Sequence, residues 1–170
     1  MRTLSIALAL LAASPAAAEV TASTEASFTV THKVTVAATP AKVWATLIAP
    51  SAWWNKDHTW SGCAANLSLD PRAGGCWCEK LPEGGGVEHM RVVFFQPGKM
   101  LRLSGALGPL QSFPASGVVT VTLTPAADGK TTAVKVDYAV AGAPGLGKIA
   151  GPVDGVLGQQ VAGLKAAAER

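Results

Sequence analysis

The chain has 170 residues and a formal net charge of +3, from 14 Lys and Arg against 11 Asp and Glu, and only 15% of its residues are charged. That length fits one domain of the usual ~100–200 residues, and basic residues scattered this thinly exclude the clustered positive footprint of a nucleic-acid or anionic-membrane binder. Low charge with many Val, Thr, Ala and Gly residues describes a β-rich extracytoplasmic protein.

The chain opens "MRTLSIALALLAASPAAAEV", with a basic residue at Arg2, an apolar run over 4–13, and the small residues Ala16, Ala17 and Ala18 before Glu19. This is the pattern of a secretory signal peptide. The expectation is cleavage near Ala18, a periplasmic or secreted location, and a single domain over residues 19–170. The apolar run is too short for a membrane-spanning helix, which needs ~20 residues, and no later segment approaches that length. No transmembrane segment is expected.

Residues 28–37, "FTVTHKVTVA", alternate with period two and predict a half-buried strand. A helix follows in "ATPAKVWATLIAP": Thr39 suits the N-cap, Pro40 the first helical position, and Val43, Trp44, Leu47 and Ile48 form one apolar stripe before Pro50. A second short helix is expected from Ser51 in "SAWWNKD". Strands are then predicted near 60–69, 76–81, 87–95, 100–105, 118–124 and 132–140, separated by the turn-like "DPRAGG", "PEGGG", "QPGK" and "AADGK". From 149 to 170, Val153, Leu157, Val161 and Leu164 recur at helical spacing, so the chain closes with a helix whose apolar stripe faces the sheet.

This order, carried by "VTVAATPAKVWATLIAPSAWW", "LSLDPRAGGCWCE", "VEHMRVVFFQPGKMLRLSG" and the closing helix, resembles the START-like or SRPBCC superfamily. That superfamily includes the birch-pollen allergen, polyketide cyclases and homologues of the heat-shock chaperone ATPase activator. The resemblance implies an α+β helix-grip fold: a curved antiparallel sheet, seven-stranded by this reading, wrapped around the long C-terminal helix, with two short helices after the first strand. It also implies an apolar cavity between sheet and helix.

Three cysteines leave at least one sulfur outside any intramolecular pair. With "DPRAGG" as the turn, Leu69 pairs near Cys76 and Leu67 near Cys78, which leaves Cys63 about 13 Å out of step with Cys78 at ~3.3 Å per strand residue. Cys76 and Cys78 stand nearly 7 Å apart in an extended strand, at the limit for a disulfide. The alternatives are packing residues, a bond allowed by a bulge, and a Cys76, Cys78, His89 metal cluster. The cluster lacks a fourth ligand, so no metal site is assigned, and the register arithmetic leaves at least two thiols free.

The next hairpin, read with Lys80 opposite Val87, places Glu79 opposite Glu88. It aligns Trp77, Glu79, Glu88, Met90, Val92 and Phe94 on one face, the more apolar one and the better candidate for the interior. Two carboxylates bordering an apolar cavity would suit proton transfer; the alternative is that both are strand-end surface acids. His58, in "NKDHTWSG", lies where a loop could rim the pocket, and Trp54, Val153 and Leu157 complete the candidate lining. His32 carries no motif.

No Ser/His/Asp, Walker, Rossmann or zinc-protease signature is present, and nothing in the sequence demands a cofactor. The favoured function is a binding module that holds a small apolar or amphipathic molecule. The alternatives are a cyclase-like enzyme using Glu79, Glu88 or His58, and a co-chaperone, which the signal peptide disfavours.

Overall fold

The computed structural model describes residues 17–170. The expected leader at 1–18 lies outside the described residues except for Ala17 and Ala18, which open the first strand. Among the described residues the sheet has eight strands: β1 Ala17–Ser23, β2 Ser27–Val36, β3 Leu67–Leu69, β4 Cys76–Lys80, β5 Gly86–Gln96, β6 Met100–Gly105, β7 Ala115–Pro125 and β8 Thr132–Gly142. All neighbours are antiparallel, in the order β1-β2-β8-β7-β6-β5-β4-β3. Helix α1 spans Pro40–Leu47 and helix α2 spans Ala150–Ala168. This is the helix-grip architecture with one strand more than the sequence reading gives. The extra strand, β1, pairs Glu19 with Thr31 and Val20 with Val30. Its sequence, "AAEVTAS", lacks the alternation that marks a strand, so only backbone pairing reveals it.

Helix α1 begins as its residues dictate. The Thr39 side chain accepts a hydrogen bond from the Lys42 amide at 3.3 Å, Pro40 takes the first position, and Val43 and Leu47 are buried. The expected second α-helix is instead two 3-10 turns, Pro50–Ala52 and Lys56–His58. Asn55 stops a continuous helix, because its side chain accepts from the Asp57 amide at 3.0 Å and so starts a new turn.

Helix α2 lies across the inner face of the sheet with Leu157, Val161, Leu164 and Ala168 buried. Each of the larger three contributes on the order of 1.5–3 kcal/mol by leaving water. Polar contacts fix the helix lengthwise on β2: Lys165 Nζ donates to the Thr35 carbonyl at 2.7 Å, and the Ala37 amide donates to Glu169 at 2.7 Å. His32, buried at 3% exposure, stands under the helix with Nε2 2.9 Å from Asp154 Oδ1, a close contact that is not aligned as a hydrogen bond.

The largest departures from the sequence reading are in register. Leu67 pairs with Glu79 and Leu69 with Trp77, one residue from the expected alignment. Between β4 and β5, Glu79 pairs with Val87, Cys78 with Glu88 and Trp77 with Met90, so His89 is an extra residue, a β-bulge. A second bulge falls at Val93, between the pairs Val92 with Leu103 and Phe94 with Arg102. Gly105 makes room for the first: it sits at φ 147°, where a Cβ would come 2.9 Å from the His89 carbonyl oxygen.

Bulging at this step also decides the cysteines. Cys76 and Cys78 form a disulfide across a Cα separation of 5.4 Å, well inside the distance of a fully extended strand, and Cys63 is free and exposed. The expectation of at least two free thiols is corrected: the contracted backbone brings together sulfurs that an ideal strand holds apart. The weighed metal cluster does not form either. Trp77 and Glu79 turn inward, the bulge turns His89 inward with them, and the cysteines lie on the opposite face beside Glu88 and Arg91. We expect thiol titration of denatured, unreduced protein to find one thiol per chain, and three after reduction. Three thiols before reduction would show the bond absent.

Candidate functional site

Between α2 and the β4–β5 end of the sheet lies a cavity of about 500 Å³, within the range of ligand pockets. Its floor is Trp77, His89 and Tyr138; one wall is α2, through Val153, Val156 and Leu157; its rim carries Trp60 from the 56–66 loop and Phe113 from the segment after β6. Trp60 and Phe113, about half exposed at 52% and 48%, border the opening. Behind Trp54 and Trp77 a second, smaller chamber of about 40 Å³ reaches toward the sheet centre. Trp54, Trp77, Leu107 and Leu157 line both, so the partition is a single layer of side chains.

The polar centre is a buried pair. Glu79, at 2% exposure, accepts hydrogen bonds from the Ser61 amide at 2.5 Å, the Trp60 amide at 3.1 Å and His89 Nε2 at 3.0 Å. Burial pushes the Glu79 carboxyl up, but the bonds from Ser61, Trp60 and His89 outweigh it and hold the group below the usual range, as a carboxylate. The same contacts explain why residues 60–66 are not the predicted strand: the amides of Trp60 and Ser61 are spent on Glu79 instead of a ladder. His89 Nε2 is committed to Glu79, and the His89 ring lines the cavity. Burial also pushes the Tyr138 hydroxyl up to about 12, against a lowering contact from the Leu107 amide, so it stays protonated.

The sequence-predicted residues divide. Trp54, Trp77, His58, Val153 and Leu157 line the cavity. His58 is half-buried at the rim, with Nε2 3.2 Å from Gln159 Oε1, and its carbonyl accepts from Trp54 Nε1 at 3.0 Å. Glu79 lies one layer behind the cavity, reaching it through His89. Met90 is core, 1% exposed opposite Trp77.

Two expectations are corrected. Glu88 faces solvent and pairs with Arg91, and Phe94, 43% exposed, lies on the outer face with the Arg102 guanidinium 5.8 Å from its ring centre. The physical reason is the same for both: each bulge puts the residues before it and those after it out of phase, so an alternation carried unbroken through Met90 and Val92 puts Glu88, before the first bulge, and Phe94, after the second, on the wrong face. Tyr138 escapes the sequence reading, and His89 enters it only as a weighed metal ligand on the opposite face. The adjacent buried pair His89 and Met90 is the trace a bulge leaves, but nothing in the sequence fixes it there.

Among the described residues no group of three or more His, Cys, Asp and Glu could hold a metal ion, and no helix is long and apolar enough to cross a membrane.

The family model described as polyketide cyclase / dehydrase and lipid transport matches residues 27–169. No curated protein matches the chain. Among solved structures, protein MLL2253 from Mesorhizobium loti superposes with a TM-score of 0.60 at 22% identity, covering 84% of this chain and 97% of that one. A protein from Rhizobium leguminosarum gives 0.62 at 19% identity, covering 92% and 99%. CalU16 from Micromonospora echinospora gives 0.57 at 12% identity, covering 89% and 83%. At these identities the likeness is one of fold.

Proposed function

Since the chain belongs to the polyketide cyclase / dehydrase and lipid transport family, we propose that it binds one small, largely apolar molecule in the cavity between α2 and the sheet. We further propose that residues 1–18 direct export, so that the ligand is met outside the cytoplasm; the exported chain then begins at Glu19, and N-terminal sequencing that finds Met1 retained overturns this part.

The observation that carries the binding reading is the cavity itself. About 500 Å³ walled by Trp, Leu, Val and Tyr side chains accommodates a molecule of drug-like size, and the exposed Trp60 and Phe113 rim gives it a way in. The test uses the fluorescent probe N-phenyl-1-naphthylamine. One probe per chain is expected to bind with micromolar affinity, and Val153→Trp, which fills the cavity from a half-buried helix position, is expected to weaken binding about tenfold or more. Binding that Val153→Trp leaves unchanged places the probe elsewhere and removes the cavity from the argument.

A second reading has its own support in the Glu79–His89 pair. An ionised carboxylate that orients a histidine lining a ligand cavity is an arrangement suited to general acid–base chemistry. In that reading His89 moves the proton and Glu79 positions it. Once a substrate is in hand, His89→Gln separates the readings: turnover lost with binding retained favours the enzyme, and altered binding with no chemistry favours the carrier.

A further inference from the structure

The Cys76–Cys78 disulfide joins residues two positions apart, so the loop it closes is three residues long and restrains the unfolded chain far less than a bridge across a long loop. Strand β4 is already held on both sides, with Glu79 and Trp77 opposite Leu67 and Leu69 of β3, and Cys78 and Trp77 opposite Glu88 and Met90 of β5. The fold therefore does not depend on the bond. Both cysteines are half-buried on the outer face of the sheet, while Trp77 and Glu79 turn inward. Their neighbours on that face, Arg91 and Glu88, are 55% and 44% exposed, so the bridge lies at the solvent boundary. Arg91 stands opposite Cys76 and Glu88 opposite Cys78. The guanidinium is fixed there, donating to the Gly74 carbonyl at 3.0 Å and to the Glu88 carboxylate. One sulfur thus has a cation as its cross-strand neighbour and the other an anion, and partly exposed sulfurs beside a cation are the reactive ones.

We propose that Cys76 and Cys78 form a thiol–disulfide exchange site that takes electrons from an external dithiol, with Cys76 as the sulfur that carries the thiolate. One thiolate of the dithiol attacks Cys78 Sγ; the new S–S bond forms as the Cys76–Cys78 bond breaks, and the electron pair leaves on Cys76 Sγ, opposite Arg91. Cleavage in the other sense leaves the charge on Cys78, opposite the Glu88 carboxylate. The second thiolate of the dithiol then attacks the dithiol's own sulfur in the mixed disulfide and expels Cys78 Sγ. The dithiol departs as a disulfide, and the two protons it gave up balance the two cysteine sulfurs, so the chain has gained two electrons and two protons. None of Cys76, Cys78, Glu88 and Arg91 lines the cavity, and the exchange site stands apart from the binding reading.

The experiment uses the full chain carrying Cys63→Ser, which removes the exposed free thiol, with dithiothreitol as the dithiol at neutral pH. The folded chain is expected to be reduced at a rate within about threefold of that in concentrated urea, because the bond is open in both, and to keep its circular dichroism spectrum once reduced. Iodoacetamide is then expected to label Cys76 of the reduced chain about threefold faster than Cys78, read by peptide mass mapping. Arg91→Gln is expected to remove that preference and to slow reduction about threefold, effects that a bridge serving only as a staple does not produce. Protection of the folded bond by about a hundredfold or more overturns the site, as does unfolding on reduction or a chain that holds no bond before reduction. Equal labelling of the two cysteines, or faster labelling of Cys78, overturns the assignment of the thiolate to Cys76. If Arg91→Gln fails to fold, the rates and labelling of the chain that retains Arg91 still decide both points.

Discussion

Glu79→Gln is expected to destabilise the protein by about 2–3 kcal/mol at neutral pH, the cost of leaving buried groups unpaired, which for a chain of this size lowers the melting temperature by roughly 5–10 °C. An isolated carboxylate beside an apolar cavity would gain from losing its charge. The structure reverses that sign. The Glu79 carboxylate accepts from three N–H groups, those of Trp60, Ser61 and His89. An amide supplies one acceptor oxygen and turns an NH2 group toward the remaining donors. The pH dependence follows from the direction of the shift. The folded carboxyl lies below its ordinary value of 4.5, so its contribution is full above that value and is lost as pH falls through the folded one. Urea melts at a series of pH values from neutral to pH 3 are expected to show the native chain losing stability on that limb more steeply than the Gln variant. Equal stability of the two chains at neutral pH overturns the role given to Glu79.

The second large effect concerns Gly163 in α2. In an open helix interior, Gly to Ala stabilises by about 1 kcal/mol, and Gly155, where an added Cβ would meet nothing within 4 Å, is expected to behave that way. At Gly163 the same methyl would lie 2.5 Å from the Trp53 carbonyl oxygen. Backbone cannot swing aside as a side-chain tip can, so Gly163→Ala is expected to cost about 1–3 kcal/mol, in the manner of an overpacked core. The displaced loop carries Trp53 and Trp54, so probe affinity is expected to fall as well. Thermal melts of the two Ala variants check the contrast, and a stabilised Gly163→Ala chain would show that α2 and the loop are not in register contact.

How far the sequence leads is plain from particular residues. Thr39 and Pro40 start α1 where the local chemistry says, and Leu157, Val161 and Leu164 bury the stripe their spacing announces. Those features are local, set by residues within one or two turns of each other. The candidate site is not local. Its polar centre depends on the bulge at His89, on room made well downstream by Gly105, and on the amides of Trp60 and Ser61 turning back to Glu79. A period-two reading of "EHMRVVFF" has no way to register one added residue, let alone two. It therefore assigns Glu88 and Phe94 inward and His89 outward, while placing Trp77, Glu79, Met90 and Val92 on the correct side. Short strand β3 fails for the same reason: "WSGCAANLSL" has strand-like composition at its ends, but its amides find partners other than a neighbouring strand.

The two strands that end the sheet bear on how the molecule meets copies of itself. A regular, unpaired strand edge is a template on which another chain can add, the first step toward fibrillar aggregation. One border here is β3, only three residues long and preceded by the 3-10 turn at Ala64–Asn66, which gives an incoming strand little to hydrogen-bond. The opposite border is β1, interrupted by a register shift between Val20 and Ala22 that breaks the even spacing of its outward groups. Brevity at one side and irregularity at the other protect a sheet whose interior strands β7 and β8 run eleven residues each and are rich in β-branched side chains. Straightening β1 would therefore do more for self-association than it would for stability.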